Sequence, residues 1–369
     1  MTSSTPGRSG PLLAVLTLVV LVLAACGSGS GSSAAGLTDP EAALAPAGAA
    51  AEQGGGLVVM AELAPLADLV GQVLGDRGTA HSLIPGGADA HTHEPRPSDV
   101  RQVTGADAFF GIGLGLNPAV LRLVEEHLPE GAPVVLLAET ALAEDDLAVG
   151  AFGHTHGDGG SHSHGDAGGH SHGDEASRPA PNPHVWADPT NAMAMVAGIR
   201  DELVTIDPDG GEVYRDNARD LLQRIGALDE AIATATATIP AGTRTLVVYH
   251  DAWVYFGARY ELEVVAAIQP ADLSEPSARD VRRIIDQIRA EGVPKVFGST
   301  EFPSDVLQTI AAETGAEHGA ELSDDELPGE PGDPEHSYIG MMQRNARAIV
   351  TGLGGDPSAI DAVSPGGLR

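Results

Sequence analysis

Cysteine is almost absent from this 369-residue chain: Cys26 stands alone, so no intramolecular disulfide can form. Lysine is as scarce, with Lys295 the only one. Lysine and arginine together number 20 against 52 aspartates and glutamates, a formal net charge of -32. That deficit of positive charge excludes a basic footprint, and with it the usual way of holding a nucleic acid. It favours cations near the surface instead. Aromatic residues make up only 4%. The one long apolar run, Leu12 to Ala25, is too short to span a bilayer comfortably. No 20–50-residue repeat and no HExxH motif is visible. Against these absences stands a hydrophobic content of 42%, enough for a sizeable core in a chain whose length suits about two domains.

The lone cysteine has an informative context. Arg8 precedes the apolar run, which ends in Leu23-Ala24-Ala25-Cys26-Gly27. A charged start, a short apolar core and small residues before the cut form a signal peptide. Ending in Cys, this one resembles the lipobox of bacterial lipoproteins. The resemblance implies removal of residues 1–25, acylation of Cys26 and anchoring to the outer face of the cell membrane. Residues 26–56, rich first in Gly and Ser and then in Ala, read as a flexible tether.

Beyond the tether, short apolar runs alternate with helical spacing. Strands are expected at 57–61, 79–84, 107–112 and 134–137, with helices at 65–74, from Pro97 onward, and at 118–127. A helix opens at Pro189-Thr190-Asn191 and runs through Leu203. A longer one, from about Gly211 to Ile239, would span on the order of 45 Å. The alternation then resumes: strands at 246–249, 263–268, 293–297 and 316–322, helices at 252–260, 277–290, 306–314 and about 335–353. This pattern predicts an α/β protein with largely parallel sheets in two lobes, residues 57–205 and 241–355. The lobes would be joined by a long rigid helix within 206–240, with a tail at 356–369.

Histidine carries the chemical signal. Between residues 153 and 181, His154, His156, His162, His164, His170 and His172 form three H-x-H pairs among Gly, Ser and Asp. Such tracts bind transition metals, since imidazole suits Zn, Cu and Ni and is largely neutral near pH 7. This polar loop cannot hold a fixed geometry, so its pairs would bind weakly and repeatedly, as auxiliary sites. Three further histidines stand out by position. His91 follows a strand by a Gly-rich turn, His184 sits between Pro183 and Val185-Trp186, and His250 comes straight after an apolar strand. Ligands gather beyond the carboxyl ends of parallel strands. Residues 93 and 66 positions apart can meet only through the tertiary fold. A metal held by them would lie in the cleft, coupled to lobe packing. Asp89, Glu94, Asp188 and Asp251, close in sequence, are candidate acceptors for the second ring nitrogens.

The segments GADAHTHEP at 87–95, NPHVWADP at 182–189 and HDAWVYF at 250–256 resemble the metal-binding solute-binding proteins of zinc and manganese ABC importers. The resemblance runs in consistent order from about Leu57 to Leu353, and the combination is far more specific than any one segment. It implies two α/β lobes with the metal between them and His91, His184 and His250 as ligands. It also implies delivery to the permease subunits of an importer, by a monomer. A His-rich insertion before the second ligand histidine implies Zn²⁺, with Mn²⁺ or Fe²⁺ as alternatives. By register, Asp324 is the nearest match to the carboxylate that completes the site in many relatives, with Asp325, Glu326 or water beside it. The chain departs from the family pattern in several places. Ala90 replaces a proline and His93 an aromatic residue, which makes His93 an extra candidate ligand. Ser299 stands where a glutamate is expected, and the second-lobe disulfide is impossible.

Two other classes compete with a non-enzymatic binding protein. A surface zinc buffer or adhesion protein would use the His-rich loop itself. A zinc hydrolase would use three histidines and an open position.

Overall fold

The computed structural model describes residues 56–150, 180–269, 277–301 and 305–365. Cys26, the signal peptide, the tether up to residue 55 and the six paired histidines all lie outside them.

Four parallel strands form the first sheet, in the order β2-β1-β3-β4: β1 (Leu57–Ala61), β2 (Gly78–Ser82), β3 (Ala108–Gly111) and β4 (Val134–Leu136). The connections carry helices α1 (Ala64–Leu74), α2 (Pro97–Thr104) and α3 (Pro118–His127), and α4 (Leu137–Thr140) follows β4. In α1 the buried Leu66, Leu69, Val70, Val73 and Leu74 recur at the helical period and face the core. Each such side chain contributes about 1.5–3 kcal/mol by leaving water. Three helices begin at Pro residues, Pro97, Pro118 and Pro189, where a missing N–H costs nothing.

Two long helices follow, α5 (Pro189–Ile206) and α6 (Gly211–Thr236). The second lobe repeats the first arrangement. Its parallel sheet has the order β6-β5-β7-β8, from β5 (Thr245–Val248), β6 (Glu263–Ala267), β7 (Lys295–Ser299) and β8 (Glu317–Leu322). Its helices are α7 (Val254–Arg259), α8 (Ala278–Glu291) and α9 (Asp305–Thr314). The chain then returns through α10 (Tyr338–Gly352), which packs on α6 and α1, and ends in α11 (Ser358–Asp361).

The α/β class and the two parallel sheets agree with the sequence pattern; several element ends do not. β2 stops at Ser82, whose hydroxyl donates to the Ile84 carbonyl and bends the chain, although the Leu83 and Ile84 amides still donate to Ala61 and Glu62. The connecting helix stops at Thr236, about 39 Å long for its 26 residues. The Thr236 and Thr238 hydroxyls bond back to the last turn there, and Pro240 cannot extend it. α10 begins at Tyr338 because the Ser337 hydroxyl caps it, accepting from the Gly340 amide.

One apolar cluster runs through both lobes, from Val59, Phe109 and Trp186 through Leu228 and Ile232 to Leu246, Phe297, Tyr338 and Ile349. A smaller one lies between the second sheet and α8 and α9. The shared cluster fixes both sets of strand ends around one place, where the loops after β2, β3, β5 and β8 meet.

Candidate metal centre

Each group at this place is delivered by a loop beyond a strand or at a helix start. His91 follows β2 in the turn Asp89–Thr92, where the Asp89 carboxylate accepts from the His91 amide at 2.8 Å and the Thr92 hydroxyl at 2.5 Å. His184 precedes a 3-10 turn, Val185–Ala187, that leads into α5 through the capping side chain of Asp188. His250 lies two residues past β5. Asp325 lies in the loop after β8. That loop is held by Glu301, whose Oε1 accepts from the Asp324 and Asp325 amides, both at 3.1 Å.

The three Nε2 atoms form a near-equilateral triangle: His91 to His184 3.1 Å, His91 to His250 3.3 Å and His184 to His250 3.0 Å. Asp325 Oδ1 is 3.8 Å from His184 Nε2. These four ligand atoms lie within 4.8 Å of one another, the only such metal-competent group among the described residues. Zn–N bonds of about 2.0–2.1 Å at tetrahedral angles would place nitrogens about 3.3–3.4 Å apart. The donor set therefore fits a small divalent cation.

The other side of each ring determines which nitrogen faces inward. Asn182 Oδ1 accepts from His184 Nδ1 at 2.8 Å and from the His184 amide at 2.9 Å, while its Nδ2 donates to the Asp251 carbonyl at 2.6 Å. The Leu116 carbonyl bonds to the His91 ring, and the Gln269 side chain to the His250 ring. Asn182 thus turns the His184 Nε2 lone pair into the triangle, where the Nε2 atoms of the other two rings meet it.

Burial sets the electrostatics. Desolvation lowers the pKa of all three histidines: His91 below the usual range, His184 well below it, and His250 to about 3, with the neighbouring rings adding to the effect on the last two. The rings are neutral and ready to ligate. Asp325 is pushed well above the usual carboxylate range by burial, then by Glu301 and Asp89. Its two oxygens are buried and accept no hydrogen bond of normal geometry among the described residues. The Ala90 amide favours its ionised form but does not offset these effects. A buried carboxylate left this way costs stability unless it is protonated or paired with a cation.

The structure therefore brings His91, His184 and His250 together as the sequence suggested, but the adjacent carboxylate is Asp325. Asp324 is turned away: its Oδ1 accepts from Trp253 Nε1 at 2.7 Å and its carbonyl from Trp186 Nε1 at 3.0 Å. His93 is not among the four groups. Of the four acidic neighbours expected to hold the rings, two are engaged elsewhere. Asp188 accepts from Thr190 and caps α5, and Asp89 holds backbone. Sequence reasoning missed Asn182, Gln269, Leu116 and Glu301. Only Asn182, two residues before His184, had a local signal. The glutamate expected at Ser299 has a counterpart two residues on, since the Ser299 hydroxyl donates to Glu301 Oε2 at 2.9 Å.

With this geometry in place, similarity to known proteins becomes informative. The family described as ZnuA, zinc-uptake complex component A, periplasmic, matches residues 59–352. The manganese-binding lipoprotein MntA of Halalkalibacterium halodurans is 30% identical over 302 residues, 82% of this chain and 90% of the relative. The high-affinity zinc uptake system protein ZnuA of Paracoccus denitrificans is 32% identical over 304 residues, 81% and 92% of the two chains. The iron-binding protein YfeA of Yersinia pestis is 27% identical over 288 residues, 78% and 83%. Among solved structures, the periplasmic zinc binding protein TroA from Treponema pallidum superposes with a TM-score of 0.69 at 24% identity, covering 81% of this chain and 99% of TroA. Fold and sequence agree: the chain belongs to the ZnuA family of metal-binding substrate-binding proteins that serve ABC importers.

Proposed function

We propose that this protein captures Zn²⁺ outside the cytoplasm with His91, His184, His250 and Asp325 and passes it to the permease of an ABC importer. The observation that carries this reading is the triangle of Nε2 atoms, 3.0–3.3 Å on a side, facing a buried carboxylate. Three neutral imidazoles and one carboxylate suit tetrahedral zinc, whereas Mn²⁺ favours sites richer in oxygen. The relatives are named for manganese, zinc and iron, so the donor set, and not the similarity, supports zinc. The His-rich segment 153–181 supports the same metal as a source of weak auxiliary sites. Cys26 is the proposed lipid attachment, which would hold the tethered body at the outer membrane face.

Isothermal titration of the mature chain tests the reading. One tight zinc site is expected, surviving deletion of residues 154–172 and lost or greatly weakened in His91→Ala and His250→Ala. Undiminished tight binding in either point variant would disprove the cleft site. Loss of all tight binding on loop deletion would favour the buffer instead.

A further inference from the structure

Directly after β3 the chain reads Ile112-Gly113-Leu114-Gly115-Leu116-Asn117. Three successive residues have positive φ: Gly113 at 86°, Leu114 at 53° and Gly115 at 74°. A leucine there is unusual, so surrounding contacts must hold the loop in this shape. Runs of this kind turn backbone N–H groups into a concavity that takes an anion. Here the concavity is filled from within. Glu62, immediately after β1 and 4% exposed, accepts from the Ile112 amide at 2.7 Å, and the Gly113 and Asn117 amides also bond to its carboxylate. From the other side, Glu139 Oε1 accepts from the Leu114 amide at 3.1 Å. A Cβ on Gly111 would lie 3.2 Å from Glu62 Oε2 and 2.9 Å from Phe109 Cε1, so the close approach needs a glycine.

This loop is also what holds His91. The Leu116 carbonyl bonds to its ring. Asn117 Nδ2 donates to the carbonyls of Ala90 at 2.7 Å and His93 at 3.1 Å, gripping the backbone on both sides of the ligand. Asn117 Oδ1 meanwhile starts α3 by accepting from the Ala119 and Val120 amides. The main chain of Glu62 adds a second tie, since its carbonyl accepts from Ile84 at 3.0 Å where the His91 loop departs.

We propose that Glu62 is a positioning residue for His91: its carboxyl group is the internal acceptor around which residues 112–117 fold, and that loop sets the ring and backbone of the ligand. The inference rests on His91 binding metal, as proposed above. Glu62 touches no ligand, so its effect must pass through His91 alone.

The test uses the full chain and its Glu62→Gln and Glu62→Ala variants, each with and without His91→Ala, at pH 8. Zn²⁺ affinity is read by chelator competition, Co²⁺ coordination by visible absorption, and folding by the melting of the metal-free protein. Glu62→Gln should melt cooperatively, bind Zn²⁺ about tenfold more weakly, as lost outer-shell partners do, and shift the Co²⁺ bands. In the His91→Ala background it should cost nothing further. Should Glu62→Ala fail to fold, the isosteric Gln variant decides. Unchanged affinity and Co²⁺ bands in Glu62→Gln, or an equal loss with and without His91, would overturn the proposal. Absence of zinc binding by the unaltered chain would instead overturn the metal reading beneath it.

Discussion

The burial of Glu62 makes a quantitative prediction about stability. Desolvation raises its pKa from 4.5 to about 7, and the Ile112, Asn117 and Gly113 amides offset only part of that rise. A carboxyl whose folded pKa lies above its unfolded value binds its proton more tightly in the native state. Its contribution to stability is therefore complete below pH 4.5 and is lost as pH rises through about 7. The difference of 2.5 units, 7 minus 4.5, at 1.36 kcal/mol per unit amounts to about 3 kcal/mol. Asp324 and Asp325 are shifted the same way, so the intact protein should show a larger total decline. Subtraction isolates Glu62. Urea denaturation of metal-free protein, with chelator present, is to be followed at pH 5 and pH 8.5 for the parent and Glu62→Gln. The parent should lose about 2.5 kcal/mol more between the two pH values than the variant, whose amide does not titrate, because part of the contribution is already gone at pH 5. Taking each protein's own pH difference cancels any constant effect of the substitution. Equal losses in the two proteins would show that Glu62 is ionised at little cost, and the reasoning about its burial would fail.

Three further substitutions test the surroundings of the site. Asp325→Asn removes the anionic ligand and should weaken Zn²⁺ binding by about 100-fold or more, whereas Asp324→Asn keeps an acceptor for Trp253 and should stay within about tenfold of the parent in chelator competition; the reverse ranking would restore Asp324 as the ligand. Gly150→Ala places a Cβ 2.1 Å from Asp251 Oδ2 and 3.1 Å from Asn182 Nδ2. The resulting shift beside His250 should lower metal affinity about tenfold and metal-free stability by about 1–3 kcal/mol, read by titration and urea denaturation.

The sequence revealed what repeats with a period or follows a strand. Alternating apolar runs and helical spacing marked most strands and helices, and His91 and His250 stood out because each follows an apolar strand. The same logic could not separate Asp324 from Asp325. That choice depends on contacts made across the chain: Glu301 gripping both amides, Trp253 and Trp186 drawing Asp324 away. Nor could it place Leu116 beside the His91 ring, since a backbone carbonyl leaves no trace in residue identity. Glu62 belongs to no motif in the sequence. Its contact with the loop of positive φ angles fifty residues later is made only in the fold. Element ends slipped where a hydroxyl competed with the ladder or helix, as at Ser82 and Thr236.

The central claim is that three neutral imidazoles and one carboxylate select zinc. It is tested most directly by competition between Zn²⁺ and Mn²⁺ for the protein purified without added metal and lacking residues 154–172, so that only the cleft is read. The account predicts one bound zinc per chain that excess Mn²⁺ does not displace, and Co²⁺ absorption of tetrahedral intensity at the same site. Because zinc outranks manganese at most nitrogen and oxygen sites, the spectrum carries as much weight as the competition. Retained manganese, or a weak six-coordinate Co²⁺ spectrum, would contradict it.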